Sequence, residues 1–407
     1  MALKIRQADK LENVRYDIRG RILEKAEELE AEGQTILRLN VGNPAPFGFN
    51  APDDIVAAMV RNLPSSQGYC EARGLFSART AVVQYYQTRG ITDLDIDNVY
   101  LGNGVSELIA ITMQALCNPG DEVLIPAPDY PLWTASVALS GGDPVHYLTD
   151  ESQGWLPDFE DLESKITTRT RGIVVINPNN PTGAVYPVEV LSQFVDLARK
   201  HDLVLFADEI YEKIVYDGVS LTNLAKLCGH GVLCLTFSGL SKAYRVCGFR
   251  AGWLAVTGPV REAEGYLEGI TLLANMRMCA NVPGQHAIQT ALGGYQSIDD
   301  LLLPRGRLTE QRNFAHARLN EIDGVTCEKP DGALYLFAKL DVEKFGIVDD
   351  EQFVLDLLTE QHIFVSHGRA FNWVQPDHFR LVSLPHIEDL DVALTRIAEF
   401  LADYQQT

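Results

Sequence analysis

The sequence predicts an α/β fold: a large domain with a mainly parallel mixed sheet between helices, followed by a smaller α+β domain. The first observation is a set of four short apolar runs, 122–126 (Glu-Val-Leu-Ile-Pro), 172–176 (Gly-Ile-Val-Val-Ile), 203–207 (Leu-Val-Leu-Phe-Ala) and 232–237 (Val-Leu-Cys-Leu-Thr-Phe). Each is bounded by turn residues and separated from the next by a helical pattern, as expected of strands buried on both faces of a parallel sheet. The second is a change of character after residue 300. A charged helix spans Arg305 to Arg318, and Ala-Leu-Tyr-Leu-Phe-Ala at 333–338, Ile-Phe-Val at 363–365 and Phe-Arg-Leu-Val at 379–382 read as short strands of the smaller unit.

In chain order, Ile22, Ala26 and Leu29 recur at helical spacing and Gly33 supplies a stop, so 19–32 reads as an amphipathic helix. Leu101-Gly-Asn-Gly-Val-Ser-Glu107 is a glycine-bearing turn into an apolar helix whose free N–H groups suit a phosphate. The four apolar runs follow, and a second long helical pattern starts after Pro259. No repeat, low-complexity tract or linker marks a boundary. The division therefore follows how the chain folds back: an N-terminal arm and helix over 1–50, packing with the small domain and the active site, a large domain over 51–300, and a small domain over 301–407.

Length and composition narrow the function classes. At 407 residues the chain is long enough for a large α/β domain with a smaller companion. Hydrophobic residues at 46% and charged residues at 22% argue against disorder. A net charge of −21 disfavours nucleic acid and anionic membranes as partners, so positive contacts to an anionic substrate must be local. The seven cysteines are scattered without a C-x-x-C, which fits a reducing compartment. The nine histidines show no ligand spacing, so no metal is expected. The start lacks an apolar signal region and no apolar run reaches a membrane-spanning length, so the expected location is cytoplasmic.

In open parallel sheets, ligands gather beyond the carboxyl ends of the strands. That rule selects Asn177-Pro-Asn-Asn-Pro-Thr-Gly183 after the second run, Asp208 and Tyr211 after the third, and Ser238 to Lys242 after the fourth, with Arg250 close behind. A lone lysine, arginine or aspartate there is ordinarily a solvated side chain, an ion pair or a turn former. The conjunction, each behind its own strand, points instead to a site. A lysine can form an imine, an arginine fork suits a phosphate, and a carboxylate keeps a pyridine nitrogen protonated.

With these motifs the chain resembles the class I/II, fold-type I pyridoxal-phosphate aminotransferases. The matched stretches span residues 11 to 385, and N-P-N-N-P-T-G, D-E-I-Y and S-x-x-S-K-x-x-x-x-x-G-x-R-x-G are specific in combination. The resemblance implies that Lys242 carries pyridoxal 5′-phosphate as an imine and that Asp208 pairs with the ring nitrogen. It further implies that Asn180 and Tyr211 contact the ring 3-oxygen and that Tyr130 stacks on the ring. Asn103, Gly104 and Val105, with Ser238 and Arg250, would meet the phosphate, and Tyr69 would reach the phosphate of a neighbouring subunit in a homodimer. Many relatives have a hydroxyl three residues before the lysine; here Gly239 occupies that place, and Ser238 or Ser241 takes the role.

The same resemblance makes Arg380 the clamp for the substrate α-carboxylate and places the Gly42–Asn43 backbone on the substrate side. Leu-Glu-Asn-Val-Arg-Tyr-Asp-Ile-Arg-Gly at 11–20, Asn-Pro-Ala-Pro-Phe-Gly-Phe at 43–49, Trp133, Gly-Gly-Tyr-Gln at 293–296 and Ala-Phe-Asn-Trp at 370–373 are similar to the bacterial alanine aminotransferases. Tyr16 and Arg19 then become substrate-pocket candidates, Arg19 for the distal carboxylate of glutamate. The implied reaction is a ping-pong exchange between alanine and 2-oxoglutarate that yields pyruvate and glutamate, with Lys242 moving the proton. A carbon–sulfur β-lyase, or an aminotransferase for aspartate, aromatic or branched substrates, is the alternative on the same fold.

Overall fold

The computed structural model describes residues 6–11, 14 and 20–406. Its centre is an eight-stranded sheet in the order β2-β9-β8-β7-β6-β3-β4-β5. The strands are β2 (Val99–Asn103), β3 (Glu122–Ala127), β4 (Asp143–Asp150), β5 (Leu156–Pro157), β6 (Thr170–Ile176), β7 (Val204–Asp208), β8 (Cys234–Gly239) and β9 (Ala251–Thr257). The pairs β3/β4, β3/β6, β6/β7 and β7/β8 are parallel, whereas β9 runs antiparallel to both β2 and β8. All four apolar runs read from the sequence are strands of this sheet. Their residues are buried on both faces, as a parallel sheet covered by helices requires.

Four strands of this sheet, β2, β4, β5 and β9, were not anticipated. β9 is apolar throughout and buried, and β2 ends in the glycine turn that the sequence shows only as a turn. Gly252 and Gly239 face each other across β8 and β9, and a Cβ on Gly239 would press on the Ala251 carbonyl and the Gly252 backbone. The family hydroxyl three residues before the lysine is therefore excluded here by backbone approach, which only glycine permits.

The smaller sheet is antiparallel, in the order β10 (Val325–Cys327), β11 (Tyr335–Leu340), β14 (His378–Val382) and β13 (Ser366–His367). The run 363–365 does not belong to it. Ile363–Phe364 forms β12, which pairs in parallel with β1 (Leu37–Arg38) of the N-terminal segment. A two-residue strand carries no pairing information of its own, so this partner was not readable.

The helix expected at 19–32 is Arg21–Ala31, with Ile22, Ala26 and Leu29 on its buried face. It lies against the helix Asp350–Gln361; Arg21 Nη2 donates to Gln352 Oε1 at 2.9 Å. The pattern after Pro259 is the helix Glu264–Met276, and the charged stretch is Arg307–Asn320. Among the described residues no helix is long and apolar enough to cross a membrane.

Candidate active site

A cavity of about 230 Å³ opens beyond the carboxyl ends of β6, β7 and β8. Lys242, Asp208, Asn180, Tyr211, Tyr130, Arg250, Val105, Gly42 and Arg380 all line it. Residues from four strand ends, the first segment and the last sheet thus meet in one space. Tyr16 and Arg19 lie outside the described residues.

Lys242 follows β8 after a short turn, and its Nζ donates to the Gly42 carbonyl at 2.8 Å. The same Nζ lies 5.8 Å from the centre of the Tyr211 ring. Gly42 must be glycine: a Cβ there would collide with the Tyr335 hydroxyl.

Asp208 ends β7 and is 2% exposed. It accepts a hydrogen bond from Trp133 Nε1 at 2.9 Å and a longer one from the Ile210 N–H at 3.4 Å. Burial pushes its carboxyl up to about 6, against the downward pull of Trp133, Ile210 and the Lys242 charge. A cationic partner inside the cavity favours the ionised form. Trp133, which the sequence marked only as a subgroup feature, is fully buried and packs edge-on against Phe237 with ring centres 5.2 Å apart.

Arg250 sits in the left-handed region at φ 52°. Its Nη1 donates to Cys247 O at 2.8 Å and its Nη2 to Asn103 O at 3.1 Å and Ser106 Oγ at 3.2 Å. Among the described residues it makes no ion pair, so its charge is held beside the first turn of the helix Val105–Leu116, which has no side-chain cap. A guanidinium next to uncapped N–H groups is an anion receptor. Gly104 makes room for it, since a Cβ there would run into the guanidinium.

Two of the phosphate candidates do not line the cavity. Asn103 gives its N–H and one Nδ2 hydrogen to the Glu107 carboxylate at 2.8 and 2.9 Å, and its Oδ1 accepts from the Asn281 N–H. It holds Arg250 through its carbonyl and does not line the cavity. Ser238 turns away from the cavity, donating to Glu212 Oε1 at 3.1 Å, while Ser241 lines it. The pleat decides this, because consecutive strand residues face opposite sides. Ser238→Ala is expected to cost about 1 kcal/mol of stability through Glu212 and to leave cofactor affinity within about twofold. Ser241→Ala is expected to weaken cofactor binding about fivefold, and fluorescence titration of cofactor-free protein separates the two.

Arg380, 6% exposed on β14, is held in a plane. Its guanidinium carbon lies 4.2 Å from the Tyr335 ring centre and 4.4 Å from that of Phe371. Nη1 donates to Asn180 Oδ1 at 2.8 Å and Nη2 to the Asn40 carbonyl. Asn180 therefore presents its oxygen to Arg380 and keeps Nδ2 as a donor. Tyr335 also meets Tyr211, with the two hydroxyls 2.6 Å apart, and burial with this contact drives the Tyr211 phenol well above its ordinary range. Tyr335 was legible only as a strand residue and Phe371 only as part of the subgroup stretch 370–373. Tyr69 is 81% exposed and does not line this cavity.

The chain matches the family model described as aminotransferase class I and II over residues 34–397. It is 57% identical over 402 residues to the glutamate-pyruvate aminotransferase AlaA of Escherichia coli K12, covering 99% of each chain. It is 61% identical to an alanine aminotransferase of Mycobacterium bovis, covering 98% of this chain and 93% of that one. Among solved structures, an Escherichia coli aminotransferase superposes with a TM-score of 0.98 at 57% identity over the whole of both chains. An alanine aminotransferase from Pyrococcus furiosus superposes with a TM-score of 0.93 at 35% identity, covering 98% of this chain and all of that one. With a lysine, a buried carboxylate and a stacked arginine fork in one cavity, and these full-length matches, the chain belongs to the class I and II aminotransferases.

Proposed function

We propose that the protein is an alanine transaminase, moving the amino group between L-alanine and 2-oxoglutarate to give pyruvate and L-glutamate. The observation that carries this reading is the meeting of Lys242, Asp208 and Arg380 in one cavity; the similarity to alanine and glutamate-pyruvate aminotransferases supplies the substrate class.

Pyridoxal 5′-phosphate, which the family implies, fits the donor set. Arg250, the start of the helix Val105–Leu116 and the hydroxyls of Ser106 and Ser241 would hold its phosphate. Asp208 would hold the ring nitrogen, Asn180 and Tyr211 the ring hydroxyl, and Tyr130 the ring face. When bound, the cofactor supplies a protonated ring that takes up the electron pair left by the departing α-proton. Lys242 Nζ would hold the cofactor and, as a free amine beside the substrate, would be the base that accepts the α-proton and later returns it. Asp208, through its negative charge, would keep the ring nitrogen protonated. Arg380 receives the α-carboxylate end-on, in a plane already set by Tyr335 and Phe371. We take the working unit to be a homodimer in which the exposed Tyr69 reaches the partner's phosphate. We also take the segment 1–50 to close over the site from the side of the 301–407 unit.

The test is a half-reaction scan. Cofactor-loaded protein is mixed with single amino acids while the visible absorbance of the bound cofactor is followed. Alanine and glutamate are each expected to bleach it, releasing pyruvate or 2-oxoglutarate in equal amount without ammonia. Conversion by another amino acid but not by these two, or ammonia release from cysteine or cystathionine without a keto-acid acceptor, overturns the reading.

A further inference from the structure

We propose that Asp129 and Asn372 are a positioning pair for the carboxylate clamp, locking the turn that bears Tyr130 to the loop that bears Phe371; this rests on the reading of Arg380 above. Asp129 is fully buried and directly precedes Tyr130. Its N–H donates to the Phe371 carbonyl at 2.9 Å. Asn372 Nδ2 donates to Asp129 Oδ1 at 2.7 Å, spanning 243 positions of sequence, and also reaches Thr134 Oγ1 at 3.2 Å. Thr134 Oγ1 donates to Asp129 Oδ2 at 2.8 Å and lies 2.9 Å from His146 Nε2.

A carboxylate buried without a cation is costly, and its donors only partly offset the cost. Burial pushes the Asp129 carboxyl up to about 7 even with Asn372 and Thr134 bound, and burial also drives His146 down to about 4, so the node is held by hydrogen bonds and not by an ion pair. Asn372 moreover sits in the left-handed region at φ 58°, a conformation that side-chain-bearing residues adopt at some cost.

The geometry shows what this expensive node does. Phe371 and Tyr335 face the Arg380 guanidinium from 4.4 and 4.2 Å and so set the plane of its fork. Tyr335 is fixed through Tyr211. Phe371 is fixed at its carbonyl and at the next residue, and both anchors are on Asp129. Bidentate carboxylate binding depends on the angle of the fork, so releasing Phe371 weakens the clamp without touching Lys242 or Asp208. Since the α-carboxylate is common to amino-acid and keto-acid substrates, both half-reactions feel the change.

The test uses cofactor-loaded Asn372→Gly. Glycine adopts a positive φ freely, so the backbone is retained while both amide hydrogen bonds are lost. Expected are a roughly tenfold rise in KM for alanine and for 2-oxoglutarate and a kcat within about threefold of the parent. The dissociation constant of propionate, an unreactive carboxylate read by its perturbation of the cofactor absorbance, rises by the same factor. Asp129→Asn, which still accepts from Asn372 and donates to Thr134, is expected to bind propionate nearly as well as the parent, whereas Asp129→Ala is not. Unchanged KM and propionate affinity in Asn372→Gly, even with a lowered melting temperature, would reduce the pair to a structural role and overturn the proposal. A fall in kcat with unchanged KM, or equal loss in Asp129→Asn and Asp129→Ala, overturns it too. Propionate binding needs no turnover, so failure of the alanine reading is seen separately, in the parent enzyme's half-reactions.

Discussion

Lys242→Ala is expected to lower transamination by about four to six orders of magnitude, because the residue is both the anchor of the cofactor and the carrier of the α-proton. The protein should remain folded. Lys242 is only part-buried, and its side chain donates one described hydrogen bond, to the Gly42 carbonyl, so its removal costs about 1 kcal/mol, a shift of a few degrees in melting temperature at most. The variant should still bind the cofactor through Arg250 and the helix start, while losing the visible absorbance that depends on the lysine. Activity near the parent level would remove Lys242 from the catalytic role, whereas loss of activity through misfolding would show as a collapsed melting transition.

Asp208→Asn is expected to trade function for stability. The Asp208 carboxyl is raised from 3.8 to about 6 in the folded, cofactor-free protein. The folded state therefore holds this proton more tightly than the unfolded chain does. Between about pH 4 and pH 6 the folded state binds more protons, so stability from this group falls as pH rises through that window and stays lower above it. Two units correspond to roughly 3 kcal/mol as an upper figure. At pH 8, cofactor-free Asp208→Asn should thus be more stable than the parent by up to about 2–3 kcal/mol, a gain that shrinks as pH falls toward 5. Catalysis should drop by about a thousandfold or more, since a neutral amide does not keep a ring nitrogen protonated. Denaturant melts across this pH range check the first part and single-turnover rates the second. A variant that is less stable at pH 8, or a gain independent of pH, would show that Trp133 and Lys242 already repay the burial of the charge.

The residues that line the cavity were legible because their types and their spacing behind the strands mark them as candidates. Lys242, Asp208, Tyr211, Asn180, Arg250 and Arg380 each follow or occupy a strand that hydrophobic patterning locates, and the structure brings all six to one cavity. The four apolar strands were legible for the same local reason: a run buried on both faces needs no knowledge of its neighbours. The orientation of Ser238 was not legible, because which face of β8 points to the cavity depends on what packs behind it, here Glu212 and Tyr85, whose hydroxyl donates to Glu212 Oε1 at 2.9 Å. The β12 run was recognisable as a strand, but its pairing with Leu37–Arg38 is an encounter between distant segments.

The sequence by itself thus determined the fold class, the candidate groups of the cavity and the order in which they meet the sheet, all of which follow from residue chemistry and short-range period. Only the tertiary structure decided that Trp133 supports Asp208, that Tyr335 and Phe371 set the plane of Arg380, and that Asp129 binds Asn372. Those contacts join positions 75, 45, 9 and 243 residues apart. Even the nearest of them depends on a loop folding back, and the free energy of such contacts comes from burial and shared hydrogen bonds that exist only once the chain has folded.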